Sequence, residues 1–412
     1  MSIRSGWLRC VAVVWLLVFF LSCGGSSSKS AFLYLASQGT TPGTVTAYSI
    51  DLSKGTLSSN TGQLTPVGKA ANTGTQPSAL LFNPTQTFAY TANTGSDDIS
   101  TFTVNKDGSL TAAQGSTKVY TSATGAPLNA TRPVALAMDS GAHFLFVANE
   151  GVFNSNIDKT LNIPGNLSVF SIGSGGALTP VQGSPFALQE TSPPLPVTPS
   201  QPLPSAVAMS NQGNFVYVTD RTNGCVLGFS FDSTSGALSS VPNQTVVVGT
   251  APNAVFSPPA GNFLYVANAG SNDIYEFMIN PDGSLTAITA VGTTTPVIAT
   301  TGNGPAAMIS DPAAKYLFVA ANQGNQVVGY TINHVTGLLT QIALNIGTAS
   351  TGAGPVALAI RSDGSSIGNY WLFSSNNGAS TVSTFSLVYT TGTLNPLPQL
   401  AAPLAPYGVA AR

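Results

Sequence analysis

The sequence is poor in charged residues, and this scarcity excludes one large class of partner. Only 7% of its 412 residues are charged, with 13 Lys and Arg against 15 Asp and Glu. Proteins that bind nucleic acid carry clustered Lys and Arg, often with aromatic residues between them. No such stripe is present in this chain. We therefore expect no nucleic-acid partner.

Cysteine and histidine are also rare, which limits cross-links and metal chemistry. The chain has 3 Cys and 2 His. Cys10 and Cys23 lie near the N-terminus, so Cys225 has no disulfide partner in the rest of the chain. His143 and His334 both fall in predicted turns, and no Cys/His cluster has the spacing of a zinc site. We predict neither a metal ion nor another cofactor.

Long apolar runs are missing except near the N-terminus. There, two arginines precede an apolar run at residues 11–21, which is too short to span a bilayer comfortably. The run leads into "FLSCGGSSSKS", where a small residue precedes Cys23. This segment resembles a bacterial lipoprotein signal. The resemblance implies a signal peptide at residues 1–22, a lipid on Cys23 and a flexible tether at residues 23–30.

A lipid on Cys23 would place the protein in the bacterial cell envelope. Several acyl chains together anchor a protein stably, whereas one chain does not. We expect an exported protein held on a membrane through Cys23, in the periplasm or on the outer-membrane surface. An ordinary secretory signal or an anchor helix is the alternative.

The rest of the chain consists of short apolar strands separated by turn residues. Gly (42) and Pro (28) are abundant, yet 43% of residues are hydrophobic, which is typical of an all-β protein with many turns. The stretch "FLYVANAGSNDIYEF" (263–277) has a near copy, "FAYTANTGSDDISTF" (88–102). Its second-strand element occurs seven times: "LYLAS" (33–37), "AYTAN" (89–93), "LFVAN" (145–149), "VYVTD" (216–220), "LYVAN" (264–268), "LFVAAN" (317–322) and "LFSSN" (372–376).

This repeat predicts a seven-bladed β-propeller over residues 31–412. A unit of about 50 residues with four short strands is the size of one propeller blade. The first unit lacks the Pro-led strand that opens the others, and the chain finishes with an unmatched "APYGVAA" (405–411). We therefore predict that the C-terminal strand pairs with the first blade and closes the ring. A pair of β-sandwiches is the alternative fold, and we expect a monomer.

The "YVAN" and "YVTD" strands, with their "DGSL" tails, resemble the seven-bladed lactonase propeller family. This family includes phosphogluconolactonase-like and carboxymuconate-cyclising enzymes, alongside surface proteins with YVTN-type repeats. The resemblance covers residues 31–412. It implies a propeller fold and, by function, lactone hydrolysis or cycloisomerisation.

The family's local motifs match this chain at some positions and not at others. Gly95 and Asp97 match its Gly-x-Asp element. Ala135 stands where the family has a catalytic-type histidine. The resemblance implies that Glu150 and Arg221 are the site residues that carry over.

Propeller topology gives a second route to the site. Innermost strands begin, and second strands end, on the same face of the ring, around the mouth of the central channel. Candidate catalytic residues at this mouth are Glu150 as general base, with Arg132 or Arg221 stabilising an oxyanion. Candidate ligand-binding residues are Asn93, Asn149, Asp220, Asn268, Asn322 and Tyr407. Turn geometry is the alternative explanation of the repeated Asn, and the sequence favours it, because Asn caps turns and tolerates the left-handed backbone.

Two long insertions join the mouth beside these charged residues. They are residues 150–165 and the Pro-rich residues 182–204. Long loops on a rigid scaffold often carry function, and we predict that these two form a lid. Alternatively, the charges form weak surface ion pairs and the insertions have no role.

Three functions are consistent with the sequence. The first is a lipid-anchored propeller that binds a polar glycan-like ligand or an envelope protein at the mouth. The second is a hydrolase or isomerase that acts on a lactone through Glu150. The third is a purely structural repeat protein of the envelope.

Overall fold

The computed structural model describes residues 30–60, 62–113, 115–119, 132–151, 163–188, 201–289, 296–343, 348–364 and 369–412. The repeating structure in these ranges is β-strand, apart from a short 3-10 turn at Ser174–Gly176. The predicted signal peptide and most of the predicted tether lie outside the described residues. Within the described ranges, no helix is long and apolar enough to cross a membrane.

The strands form seven sheets, which are the seven blades. We number the blades in chain order and name the strands of each from the channel outwards. The innermost strands of blades 1 to 7 are Pro406–Ala411, Pro77–Phe82, Pro133–Met138, Pro204–Met209, Pro252–Phe256, Pro305–Ser310 and Pro355–Ser362. The second strands are Ala31–Ser37, Phe88–Asn93, Phe144–Asn149, Phe215–Asp220, Phe263–Asn268, Tyr316–Ala321 and Tyr370–Asn376.

The two outer positions complete each blade. The third strands are Thr44–Asp51, Asp98–Val104, Asn166–Ile172, Cys225–Phe231, Asp273–Ile279, Gln326–Ile332 and Thr381–Val388. The outer strands, often in two pieces, are Thr56–Leu57 with Pro66–Asn72, Leu110–Ala112 with Thr117–Lys118, Leu178–Pro180 with Phe186–Ala187, Leu238–Val247, Leu285–Ala287 with Ile298–Thr300, Leu339–Gln341 with Thr348–Ser350, and Thr393–Pro396 with Leu400–Ala401. A short hairpin, Ser59–Asn60 and Gln63–Leu64, extends the sheet of blade 7.

The ring closes as the sequence predicts. The C-terminal strand pairs antiparallel with the second strand of blade 1, placing Tyr34 opposite Ala410 and Leu35 opposite Val409. Each innermost strand contacts the next around the whole ring, including from blade 7 to blade 1. The seven-bladed propeller and its closure by the C-terminal strand are therefore confirmed.

The glycine in each tail lets neighbouring blades approach closely. Gly236 of blade 4 has a φ of 79°, and a Cβ there would lie 2.6 Å from the ring of Phe144 in blade 3. Gly283 of blade 5 meets Phe215 of blade 4 at 2.4 Å in the same way. Only glycine tolerates both the left-handed backbone and the contact. The glycine of each "DGSL"-type tail is therefore needed for close packing between neighbouring blades.

Tyrosine hydroxyls add hydrogen bonds between blades. Tyr217 in the second strand of blade 4 donates to the carbonyl of Gly283 in blade 5 at 2.8 Å. Tyr265 of blade 5 donates to Gly337 of blade 6 at 2.7 Å. Both tyrosines are fully buried, so these bonds satisfy hydroxyl groups that would otherwise be costly to bury.

Candidate functional site

A hydrogen bond repeated in all seven blades defines the mouth. The residue before each innermost-strand proline accepts a hydrogen bond, through its carbonyl, from the N–H of the residue after the second strand. The donor and acceptor pairs are Gln38 with Ala405, Thr94 with Gln76, Glu150 with Arg132, Arg221 with Leu203, Ala269 with Ala251, Asn322 with Gly304 and Asn377 with Gly354. Innermost-strand starts and second-strand ends therefore share one face, as the sequence predicts.

Arg132 is held at this mouth by its backbone. It has a φ of 57°, in the left-handed region that non-glycine residues seldom adopt. The Oδ1 atom of Asp97, in blade 2, accepts a hydrogen bond from the Arg132 N–H at 2.6 Å. Asn272 does the same for Gly304 in blade 6, at 2.7 Å. Asp97 therefore fixes the start of the next innermost strand, and this accounts for the Gly-x-Asp motif.

Arg132 and Glu150 form an ion pair at the mouth. Nε of Arg132 lies 2.9 Å from Oε2 of Glu150, with the side chains 46% and 17% exposed. The backbone N–H of Glu150 also donates to the Arg132 carbonyl at 2.9 Å. The charge of the Arg132 guanidinium is thus compensated within blade 3.

Arg221 has a different partner. Its side chain is exposed, and Nη2 donates to Oδ1 of Asn253, in blade 5, at 2.5 Å. Among the described residues no carboxylate lies within ion-pair distance of Arg221. The three predicted catalytic residues therefore form two separate groups, Glu150 with Arg132 and Arg221 with Asn253.

Four predicted ligand-binding residues are placed away from the mouth surface. Asn93, Asn149, Asp220 and Asn268 are all 0% exposed. Nδ2 of Asn149 donates to side-chain oxygens of the third strand of its own blade, at 2.8 Å. This buried amide ties the second strand to the third, so in this structure it is not available to a ligand.

The other two amides make equivalent bonds, and the carboxylate of Asp220 accepts from backbone N–H groups instead. Asn93 donates to Asp98 at 2.8 Å, and Asn268 donates to Asp273 at 2.7 Å. Oδ1 of Asp220 accepts backbone N–H groups from the turn that follows it and from Leu203. The turn-geometry alternative describes this set better than ligand binding does.

Asn322 and Tyr407 remain at the mouth. Asn322 follows the second strand of blade 6, at the position equivalent to Glu150, and donates to the carbonyl of Pro355 at 3.2 Å. Tyr407 follows the proline of blade 1 and is 36% exposed. Both side chains contribute polar groups to the face that carries Arg221.

The predicted lid lies largely outside the described residues, which include only its bases. Residues 152–162 and 189–200 are not described. Gly165 at the end of the first insertion donates to the carbonyl of Pro202 near the end of the second, at 3.1 Å. The two insertions therefore meet where blades 3 and 4 adjoin.

Sequence reasoning missed a buried carboxyl group in blade 5. Glu276, in the third strand of blade 5, is 1% exposed, and burial raises its pKa to about 7. Oε2 accepts the N–H of Leu339 in blade 6 at 3.1 Å, while Oε1 has no hydrogen-bond partner among the described residues. Other blades place Ala, Thr, Val or Gly at this position. That contrast between repeats was the available signal.

A second concave region lies on the face opposite the mouth. This open cavity of about 950 Å³ includes Ala31, Asp51 and Asp107 in its lining. Hydrogen bonds from the serine two residues further on lower the pKa of both carboxyl groups. These carboxylates order their own turns, and we assign no ligand to the cavity.

The seven sheets and their closure define a β-propeller whose mouth carries polar and charged side chains. The chain belongs to the lactonase family of seven-bladed β-propellers, whose family model matches residues 43–407. A comparison with curated protein sequences found no match.

Solved structures with the same fold are distant in sequence. A candidate 6-phosphogluconolactonase from Bacteroides fragilis is 18% identical with a TM-score of 0.70, covering 94% of this chain and 99% of its own. A periplasmic gluconolactonase, PpgL from Pseudomonas aeruginosa, is 18% identical with a TM-score of 0.69, covering 93% and 99%. A candidate 6-phosphogluconolactonase from Bacteroides uniformis is 17% identical with a TM-score of 0.70, covering 93% and 100%. At this level of identity the likeness concerns the fold.

Proposed function

We propose that this protein is a lipid-anchored, extracytoplasmic propeller that binds a small carboxylate-bearing ligand at the mouth. The observation that carries the proposal is the Arg221 guanidinium. It is exposed and bonds a neutral amide, whereas the neighbouring Arg132 is paired with Glu150. A guanidinium with free N–H donors binds carboxylates in a forked, charge-assisted geometry.

The surrounding residues favour a hydroxylated ligand. Asn253, Asn322 and Tyr407 add amide and hydroxyl groups to the same face. Such groups donate to and accept from hydroxyls, and they bring no further charge. A sugar acid combines both features, and the lactonase family and its gluconolactonase relative support this ligand class.

Export and anchoring are supported by the N-terminal sequence. The lipoprotein-like segment around Cys23 precedes the first described residue of the propeller. One structural relative is a periplasmic protein. Lipid on Cys23 would be detected by mass spectrometry of the membrane-derived protein, and its absence from folded protein would refute the anchor.

Calorimetry with gluconate as probe tests the ligand proposal. We expect wild type to bind and Arg221→Gln to lose about 10- to 100-fold in affinity, because a charge-assisted hydrogen bond contributes about 1.5 to 3 kcal/mol. Lys106→Gln is the matched control, since it removes one exposed positive charge on the opposite face. Equal affinities in all three proteins would contradict the proposal.

One observation favours lactone hydrolysis as a second candidate function. The Glu150 carboxylate lies 2.9 Å from a guanidinium, which places a general base beside an oxyanion stabiliser. Under this proposal, Glu150 takes a proton from a water that attacks the lactone carbonyl, and Arg132 stabilises the negative charge on the carbonyl oxygen. The ring C–O bond then breaks, and the leaving oxygen takes the proton from Glu150, which gives the hydroxy acid.

A lactone-hydrolysis assay separates the two candidates. Turnover that is lost in Glu150→Gln and retained in Asp232→Asn, an exposed carboxylate on the opposite face, would establish the enzyme. Absence of turnover in folded wild type that still binds gluconate would leave the binding function alone. Equal turnover in wild type and Glu150→Gln would locate the activity elsewhere.

A further inference from the structure

The described chain enters the propeller on the face opposite the mouth. Ala31 begins the second strand of blade 1, which ends at the mouth, where Gln38 donates to the Ala405 carbonyl. At the other end of that strand, Phe32 exchanges two backbone hydrogen bonds with Arg412, at 3.0 and 2.8 Å. The first described residue, Ser30, lines the cavity of the opposite face.

The length of the tether limits how far this face can stand from an anchor. Residues 24–30 lie between Cys23 and the first strand, and seven residues extend to about 25 Å at most. Strands of six to eight residues at about 3.3 Å per residue, with their turns, separate the two faces of the ring by roughly 30 Å. A body held at the opposite face thus keeps its mouth on the far side.

We infer that the face opposite the mouth is turned towards the lipid surface and that the mouth opens away from it. This inference rests on the proposed lipid at Cys23. It makes the ligand site accessible to solutes of the surrounding compartment.

The tether sets this orientation, and attraction between the opposite face and the lipid headgroups does not. Exposed turns on this face carry Asp51, Asp107, Asp232 and Asp282. Hydrogen bonds within each turn lower the pKa of all four carboxyl groups, so they stay ionised at neutral pH. The same turns expose Lys54 and Lys106. The face thus carries both signs of charge, whereas attraction to anionic headgroups requires a cluster of Lys and Arg. The face is therefore held near the bilayer without lying flat on it.

Two exposed apolar residues provide matched labelling positions. Val335, 86% exposed, lies in the turn after the third strand of blade 6, on the opposite face. Leu404, 68% exposed, precedes Ala405 at the mouth. Val335→Cys and Leu404→Cys place one donor fluorophore on each face. Cys225 is buried, so unsubstituted protein reports background labelling.

The experiment measures energy transfer from each label to acceptor-labelled headgroups, using full-length lipidated protein in phosphatidylethanolamine–phosphatidylglycerol vesicles. We expect several-fold higher transfer from position 335 than from position 404. Equal transfer, or higher transfer from position 404, with lipid present on Cys23 would overturn the orientation alone. Absence of lipid on Cys23 by mass spectrometry would overturn both the anchor and the orientation.

Discussion

The junctions on either side of blade 3 are held together differently. Between blades 2 and 3, Ser78 and Thr94 both donate to the carbonyl of Pro133, at 2.9 and 2.7 Å. Between blades 3 and 4, the equivalent positions carry Val134 and Glu150. Valine has no polar group and an ionised glutamate only accepts hydrogen bonds, so neither side chain can donate to the next proline carbonyl.

Aromatic packing closes the junction between blades 3 and 4 instead. Phe231 of blade 4 meets Phe144 and Phe146 of blade 3 edge-on, with ring centroids 5.3 and 5.0 Å apart. The tyrosine that would bond the next tail is replaced by Phe146. Edge-to-face pairs contribute about 0.5 to 1.5 kcal/mol beyond the burial of their area.

The difference between the two junctions shows how a repeat protein can place other side chains at one position of its repeat. Apolar packing holds blades 3 and 4 together. The residue after the second strand, which in blade 2 donates a hydrogen bond to the next blade, can therefore be a different kind of side chain in blade 3. Glu150 occupies this position, and Arg132 lies beside it. The ends of both insertions also meet at this junction, where Gly165 donates to the carbonyl of Pro202. The candidate site therefore lies at a junction whose mouth side chains differ from those of the junction between blades 2 and 3.

The largest effect on stability is expected from adding a side chain where Gly236 of blade 4 contacts Phe144 of blade 3. Gly236→Ala places a Cβ 2.6 Å from Phe144 at a positive φ. Overpacking costs about 1 to 3 kcal/mol and left-handed backbone about 1 to 2 kcal/mol, so we expect a loss of about 2 to 5 kcal/mol in urea unfolding.

Gly62→Ala is the control for this variant. Gly62 also has a positive φ, of 82°, but a methyl group added there would have no heavy atom within 4 Å. It should lose only the backbone contribution of about 1 to 2 kcal/mol. Equal losses of unfolding free energy in the two variants would show that the contact between blades 3 and 4 can accommodate a methyl group.

A pH-dependent effect is expected at the junction of blades 5 and 6. Burial raises the pKa of Glu276 to about 7, from the ordinary value of 4.5 for a glutamate side chain. Below pH 4.5 the group is mostly neutral in both the folded and the unfolded state, so its burial has little cost. As pH rises towards 7 the unfolded chain ionises first, so stability falls by about 3 kcal/mol in total.

Glu276→Gln should remove this dependence. The amide keeps an oxygen for the Leu339 N–H and carries no charge at any pH. We expect the variant to be more stable than wild type above pH 7 and similar at pH 4, measured by urea unfolding across that range. A parallel shift at every pH would contradict the role of ionisation.

The repeat allowed the ring and its two faces to be predicted, because each depends on local alternation and turns. The residue at which each strand ends was not predictable in the same way. Asn149 is buried and Glu150 reaches the mouth, although they are neighbours in the chain. A shift of one position moves a side chain to the other side of a strand. Asn93, Asn149 and Asn268, predicted at the mouth, are buried, and the residue that follows each of them donates its N–H at the mouth.

A smaller effect tests the tyrosine bonds that the junction of blades 3 and 4 lacks. Tyr217→Phe leaves the carbonyl of Gly283 without its 2.8 Å donor, and we expect a loss of about 1 to 2 kcal/mol. Tyr90→Phe removes a longer contact of 3.4 Å to Gly176 and should lose less than about 0.5 kcal/mol. Both are measured by urea unfolding, and a larger loss at Tyr90 would reverse the argument.

The smallest effect on stability is expected from substitutions at the mouth, where neighbouring blades meet. Thr94→Val removes one of two donors to Pro133 and should lose about 0.5 to 1 kcal/mol, because Ser78 still satisfies that carbonyl. Val134→Ser installs at the junction of blades 3 and 4 the hydroxyl that Ser205 uses at the next junction, where it donates to Pro252 at 2.6 Å. We expect Val134→Ser to change stability by no more than about 0.5 kcal/mol in urea unfolding, since a new hydrogen bond offsets the lost apolar contact. If Val134→Ser instead destabilised the protein as much as Gly236→Ala, the apolar packing between blades 3 and 4 would extend to the mouth. Glu150 would then be positioned by that packing and not by hydrogen bonds between the blades.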